Sequence, residues 1–317
     1  MSVADTAESA AAVLTLRSWL FVPGDSERKQ DKALDTPADV VILDLEDSVA
    51  AAELPRARER VAQVLRSRAG APGPQLWVRV NAPGSGVLRA DLGEIAAAGA
   101  LPAGVLLPKV SAADQIVDVS QYLTTLETGF GHIAGSTRLL VIATETPAGL
   151  LALPQYPSAL SNSPETLARL SGLTWGAEDL SAALGAAAKR DAAGALTFTF
   201  QLARTTCLLT AAALGVQAVD TVHTNFRDMQ GLQHELDNAR RDGFSGKLAI
   251  HPDQIAPINA AFTPSAEERE HAARVVAAFA AAPGTGVASL DGQMIDRPHL
   301  LQAQRVLAAA RRAGGAA

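Results

Sequence analysis

Only one cysteine, Cys207, occurs in the 317 residues. That excludes a disulfide within the chain and any cysteine-based metal cluster, and its place in the apolar run LARTTCLLTAAAL marks it as a small packed residue. Aromatic residues make up 4% of a chain that is 48% hydrophobic, so Ala, Leu and Val must fill the interior, which suits helices packed closely on strands. An excess of positive charge is lacking too. The formal charge of −6 argues against general binding to nucleic acid or to a membrane surface, and leaves anionic ligands to local basic residues. No run is long and apolar enough to span a bilayer. The Ala-rich, acidic stretch before Arg17 lacks the basic flank of a signal peptide and the arginines of a transit peptide, so residues 1–16 read as a flexible leader on a cytoplasmic protein.

What is present is a rhythm. Short β-rich runs at Ser18–Pro23, Asp39–Asp47, Gln75–Asn81, Gly104–Lys109, from Arg138, Gly172–Gly176, Ala218–His223 and Lys247–His251 alternate with helical patterns. Near-continuous apolar strands separated by helices are the pattern of a parallel α/β sheet covered on both faces, and eight of them favour closure into a (β/α)8 TIM barrel over residues 17–252. An open doubly wound sheet is the alternative, but the first strand-to-helix turn, VPGDSER, has no G-x-G-x-x-G fingerprint. Beyond Pro252 the rhythm stops. Residues 253–317 hold helices, a Pro-Gly-Thr-Gly hinge at Pro283–Gly286 and a strand-like GVASLDGQMID segment, read either as a C-terminal helical extension acting as a lid or as a helix packed on the barrel.

The most informative stretch is Arg138–Gly149, RLLVIATETPAG, an apolar run that ends in the carboxylate of Glu145 before Pro147 and Gly149. In a parallel barrel such strand tips lie on the face where variable loops build sites. Asp179 follows the next strand in the same way. Two carboxylates on one rim, with no histidine cluster nearby in sequence, suit a hard, oxygen-seeking cation such as Mg²⁺. The alternative is that both acids serve helix starts, where the dipole favours negative charge. Arg79, beside Asn81, has the planar fork that clamps a substrate carboxylate, and its structural alternative is a pair with Asp44, Glu46 or Asp47. His223 and His251 rank below these acids as proton donors. Lys109 is disfavoured as a Schiff-base lysine, since so many carboxylates keep it charged.

Taken in order, RSWLFVPGDSERKQDKAL (Arg17–Leu34), ADVVILDLEDSV (Ala38–Val49), VRVN (Val78–Asn81), LLPKV (Leu106–Val110), ETPAGL (Glu145–Leu150), GAEDL (Gly176–Leu180), KLAIHP (Lys247–Pro252) and DGQMIDRPHL (Asp291–Leu300) resemble the CitE-like, HpcH/HpaI aldolase–citrate lyase family. This family includes citrate lyase β subunits, malyl-CoA lyases and citramalyl-CoA lyases. The resemblance implies a TIM barrel with a C-terminal extension, assembled as a homotrimer or hexamer in which the extension reaches a neighbour's active site. It implies Mg²⁺ held by Glu145 and Asp179, Arg79 as the clamp on the substrate, Glu46 as a supporting carboxylate and Asp296 as a catalytic acid from the adjacent subunit. It also implies a coenzyme A thioester contacted by Phe21, Arg28, Lys32, Ile250 and Pro252. The implied reaction cleaves a 3-hydroxyacyl-CoA, such as malyl-, citramalyl- or citryl-CoA, into an acyl-CoA and a 2-oxo acid, or joins them by Claisen condensation. A CoA-independent pyruvate-type aldolase and an acyl-carrier-dependent citrate lyase subunit stand as alternatives. DTVHTNFRD after the seventh strand, and a long polar loop before Gly172, depart from the family's pattern and bear on the choice of 2-oxo acid.

Overall fold

The computed structural model describes residues 15–282 and 284–314, so most of the expected leader, and Pro283 of the expected hinge, lie outside the described residues. The chain divides into two compact units, one ending at Ile258 and the other beginning at Asn259. Among the described residues no helix is long and apolar enough to cross a membrane.

In the first unit eight parallel strands pair in chain order: β1 (Ser18–Pro23), β2 (Val40–Asp44), β3 (Gln75–Arg79), β4 (Gly104–Leu107), β5 (Arg138–Ile142), β6 (Leu170–Thr174), β7 (Gln217–Asp220) and β8 (Gly246–Ala249). β8 pairs back onto β1, closing the TIM barrel that the alternating pattern predicts and leaving no open edge. The helices are α1 (Glu27–Leu34), α2 (Leu54–Ser67), α3 (Leu88–Ala97), α4 (Ala113–Gly129), α5 (Pro147–Ala152), α6 (Tyr156–Leu160), α7 (Pro164–Arg169), α8 (Ala177–Leu184), α9 (Phe198–Leu214) and α10 (Met229–Asp242), and the division between the units falls within α11 (Ile255–Ala261). Cys207 is fully buried on α9. Arg169 of α7 is buried too, with Nη1 and Nη2 donating to the two carboxylate oxygens of Glu127 on α4 at 2.7 and 2.9 Å.

Several strands stop before their apolar runs do. The run Asp39–Asp47 reads as one strand, yet pairing ends at Asp44, whose carboxylate accepts the amides of Glu46 and Ser48 at 3.0 and 3.3 Å and turns the chain away. β7 and β8 end at Asp220 and Ala249, so His223 and His251 sit in loops rather than at strand tips. β6 opens at Leu170, two residues ahead of the run at Gly172–Gly176, by pairing with Leu139.

Inside the barrel the two-residue period of the strands points Trp19, Ile42, Trp77, Leu140 and Leu248 into one apolar cluster. Trp19 and Trp77 meet edge to face, with centroids 4.8 Å apart and planes at 78°. Gly104 makes room for them, because a Cβ there would lie 2.5 Å from the Trp77 ring. Two residues beyond Ile42 and Trp77 come Asp44 and Arg79, which are register partners across β2 and β3. The same period therefore sets a charged pair at the C-terminal end of the apolar core.

The outward faces carry a buried polar network. Lys247 is fully buried, with its ammonium 3.0 Å from Asp220 and 3.0 Å from Glu235 of α10, while Trp175 donates its indole N–H to Asp220 at 2.7 Å. His223 Nδ1 lies 3.0 Å from the other oxygen of Glu235. Each charge in the network has a close partner of opposite sign, the condition under which burial is tolerated.

The second unit holds α12 (Ala266–Ala280), a hairpin of β9 (Val287–Leu290) and β10 (Gln293–Asp296), and α13 (Arg297–Gly314). The strand-like segment read from the sequence is thus two antiparallel strands. They turn at Asp291-Gly292, both in left-handed backbone at φ 51 and 77, the conformation a two-residue hairpin turn demands. Ala272, Val275, Ile295 and Ala303 form its apolar core.

Candidate active site

A cavity of about 840 Å³ opens where the barrel strands end, a size that accommodates a cofactor-sized ligand. Arg79 lines it. Its Nε and Nη2 each donate to an oxygen of Asp44 at 2.6 Å, and Nη1 lies 2.9 Å from Glu46 and 3.7 Å from Asp47. The guanidinium also stands over the Phe21 ring, 4.9 Å from its centroid. Burial alone would raise the Asp44 pKa, but the Arg79 fork outweighs it and holds the carboxyl below its ordinary value. Arg79 is therefore a fixed and permanent cation, and all three acids read as its alternative partners surround it.

Behind Arg79 the loop after β2 is pinned from β3. Asn81 Nδ2 donates to the Leu45 carbonyl at 2.9 Å and to Asp91 at 2.8 Å, and the fully buried Asp91 pairs with Arg58 at 2.8 Å. Asp91 and Arg58 carry no sequence signal of this role, since each sits within an ordinary amphipathic helix.

Glu145 lies just beyond β5 and does not cap the next helix. Thr146 does so, its hydroxyl accepting the Gly149 amide at 2.9 Å. The Glu145 carboxylate is buried and accepts the Lys109 amide at 2.7 Å. Burial, and then the negative charge of Asp179 in the first turn of α8, push its pKa up to about 8. A desolvated carboxylate facing a second one is costly to ionise, and two oxygen donors so placed suit a hard divalent ion. Gly176 permits the approach, because a Cβ there would lie 2.5 Å from Glu145 Cγ. Among the described residues no group of three or more His, Cys, Asp or Glu side chains is arranged to hold a metal, so an ion held by this pair would take its remaining donors from ligand and water.

Lys109 joins the two halves of the rim. Its ammonium contacts Glu46, lies 3.0 Å from both oxygens of Asp47 and stands 3.4 Å from Asp179. Burial lowers its pKa, but these carboxylates raise it further and keep the lysine charged, which disfavours an imine as the sequence indicates. Burial likewise raises the Glu46 pKa, against the pull of Arg79 and Lys109.

Toward the mouth, Arg28 and Lys32 project from the exposed face of α1, joined by Lys29, which the sequence reading passed over. Ile250 and Pro252 line the same cavity from the loop after β8, where His251 stacks on Phe226 with centroids 4.7 Å apart and planes at 12°. The structure thus brings Phe21, Arg28, Lys32, Arg79, Glu145, Asp179, Ile250 and Pro252 to one cavity, with Glu46 bonded to Arg79 beside it. Asp296 belongs to the second unit, at the end of β10, where His299 Nδ1 lies 2.6 Å from its carboxylate.

The model of the HpcH/HpaI aldolase/citrate lyase family matches residues 17–252. The chain belongs to that family. Among its relatives, the mitochondrial citramalyl-CoA lyase of Rattus norvegicus is 34% identical over 298 residues, covering 92% of this chain and 85% of its own. The citrate lyase subunit beta-like protein of Mycobacterium tuberculosis is 37% identical over 298 residues, covering 94% of this chain and 96% of its own. The crystal structure of the family member CitE from M. tuberculosis, in complex with magnesium, acetoacetate and coenzyme A, matches with a TM-score of 0.71 at 35% identity, covering 95% of this chain and 98% of that one.

Proposed function

We propose that this protein is a Mg²⁺-dependent carbon–carbon lyase that cleaves a 3-hydroxyacyl-CoA of the malyl-, citramalyl- or citryl-CoA type into an acyl-CoA and a 2-oxo acid, or forms it by Claisen condensation. The observation that carries this reading is the meeting, in one cavity, of a buried carboxylate raised to about 8 beside Asp179 and a guanidinium locked by Asp44. Magnesium held by Glu145 and Asp179 would supply Lewis-acid polarisation of substrate oxygens.

Arg79 places a second positive charge where an oxygen gains negative charge as the C–C bond breaks. Because Asp44 already orients it, little reorganisation accompanies the reaction. Glu46 supports this group by contacting both Arg79 and Lys109. Arg28 and Lys32 offer cations to the phosphates of a coenzyme A thioester, Phe21 flanks Arg79, and Ile250 with Pro252 gives the thioester arm an apolar rest. Asp296, from a neighbouring copy in a homotrimer or hexamer, delivers the proton to the α-carbon in cleavage and removes it in condensation. The protein acts in the cytoplasm, and its 253–317 extension serves as the lid. The magnesium, acetoacetate and coenzyme A held by one relative, and the citramalyl-CoA lyase name of another, support these ligand classes.

The test incubates the protein with acetyl-CoA or propionyl-CoA, a panel of glyoxylate, pyruvate and oxaloacetate, and Mg²⁺, and looks for the condensed thioester by mass spectrometry. No condensation or cleavage across the panel, or full turnover in EDTA, refutes the reading. A joint Arg28→Ala, Lys32→Ala variant that turns over free hydroxy-oxo acids undiminished, with no thioester activity in the wild type, selects the CoA-independent aldolase instead. Light scattering measures the assembly.

A further inference from the structure

We propose that Lys109 is the resident counter-ion of the metal site, a positioning residue that competes with the divalent cation for Asp179 while it holds Glu46 and Glu145 in place. This rests on the metal reading above and deepens it. One residue reaches both acids of the pair: its amide donates to Glu145 at 2.7 Å and its ammonium stands 3.4 Å from Asp179. The same ammonium contacts Glu46 and lies 3.0 Å from both oxygens of Asp47.

Its backbone shows that this double reach is enforced. Lys109 has φ 53, in the left-handed region that side-chain-bearing residues enter only where their surroundings demand it. Here the amide must face the tip of β5 while the side chain crosses to the loop after β2 and the start of α8. Arg79 is already engaged by Asp44, which leaves Lys109 as the cation that offsets Asp47 and Asp179 most directly. A divalent ion that settles between Glu145 and Asp179 must therefore take Asp179 from the ammonium, which retains Glu46 and Asp47. Lys109 weakens cation binding and, in exchange, keeps the carboxylates spread around a ready-made site.

The experiment titrates Mn²⁺ into the full-length protein at pH 8 by calorimetry, for the wild type and for Lys109→Met, Lys109→Gly and Lys109→Arg. The glycine variant keeps the amide donor and accepts the left-handed backbone, so it separates the loss of charge from a loss of fold. The methionine and glycine variants are expected to bind Mn²⁺ about tenfold more tightly, the effect of removing a unit charge about 6 Å from a double one at a permittivity near that of water. At saturating Mn²⁺ their turnover falls, since Glu46 has lost a tether, and Lys109→Arg restores the weaker binding. A merely structural lysine predicts the opposite, weaker binding on removal, and equal or weaker Mn²⁺ binding in both neutral variants overturns the proposal. A wild type that binds no Mn²⁺ removes the metal reading itself. Wild-type binding that Asp179→Asn abolishes preserves that reading whichever way the Lys109 variants fall.

Discussion

Stripping the divalent cation should expose the cost of ionising Glu145. Its pKa stands at about 8 in the fold against an ordinary 4.5, because burial and Asp179 both oppose its negative charge. The folded chain therefore keeps a proton that the unfolded chain has lost between these two values. Stability contributed at this residue falls as pH rises through that window, by about 1.4 kcal/mol per unit, and the sum is about 5 kcal/mol as an upper figure. At pH 7 the cost is roughly 3 kcal/mol on the same basis. Glu145→Gln removes the titration while keeping the shape. Urea unfolding in EDTA, from pH 6 to 9, should show the variant more stable than the wild type by a margin that widens up to about pH 8 and is constant above it. Added Mg²⁺ should reverse the order, because it binds the ionised folded form alone. Parallel pH profiles for the two proteins in EDTA would refute the reasoning, since Glu145 would then titrate as an ordinary solvated carboxylate.

Other changes test the remaining parts of the site. Gly176→Ala puts a Cβ 2.5 Å from Glu145 Cγ, and should weaken Mg²⁺ binding by about tenfold or more in calorimetry, consistent with roughly 1.4 kcal/mol of displaced geometry, while circular dichroism stays native. Asp44→Asn breaks the fork that aims Arg79 and should lower kcat/KM by about a hundredfold in the thioester assay, the scale of losing a preorganised charge. Arg169→Ala strands the buried carboxylate of Glu127, and should cost about 3–5 kcal/mol in denaturant unfolding with kcat unchanged in the folded fraction. An Arg169→Ala protein of wild-type stability would count against that account of the α4 and α7 contact.

The barrel was legible in the sequence because strands buried on both faces are written as apolar runs, and eight of them alternate with helices. Glu145 and Arg79 stood out for the same reason, as charges at the ends of such runs. Partner choice was not legible. Asp44, Glu46 and Asp47 lie within four residues, and only the register of β2 on β3 places Asp44 directly beside Arg79. Strand ends were misplaced where a side chain rather than hydropathy stops the ladder, as Asp44 does by accepting the amides of Glu46 and Ser48. Lys247 opens a short run that carries no sign of its burial, yet it is buried against Asp220, its register partner on β7, and against Glu235, a partner set by the packing of α10. The part played by Gly176 was hidden in the same way, since it depends on a side chain from the neighbouring strand tip.

Cys207 has a practical consequence. The thiol is wholly enclosed on α9, and burial drives its pKa far above the ordinary range, so at neutral pH it offers alkylating reagents almost no thiolate. A cysteine introduced on an outer loop becomes a unique handle for a fluorophore or spin label without removal of the native one. Slow modification at Cys207 itself would then time the rare openings of the helical jacket.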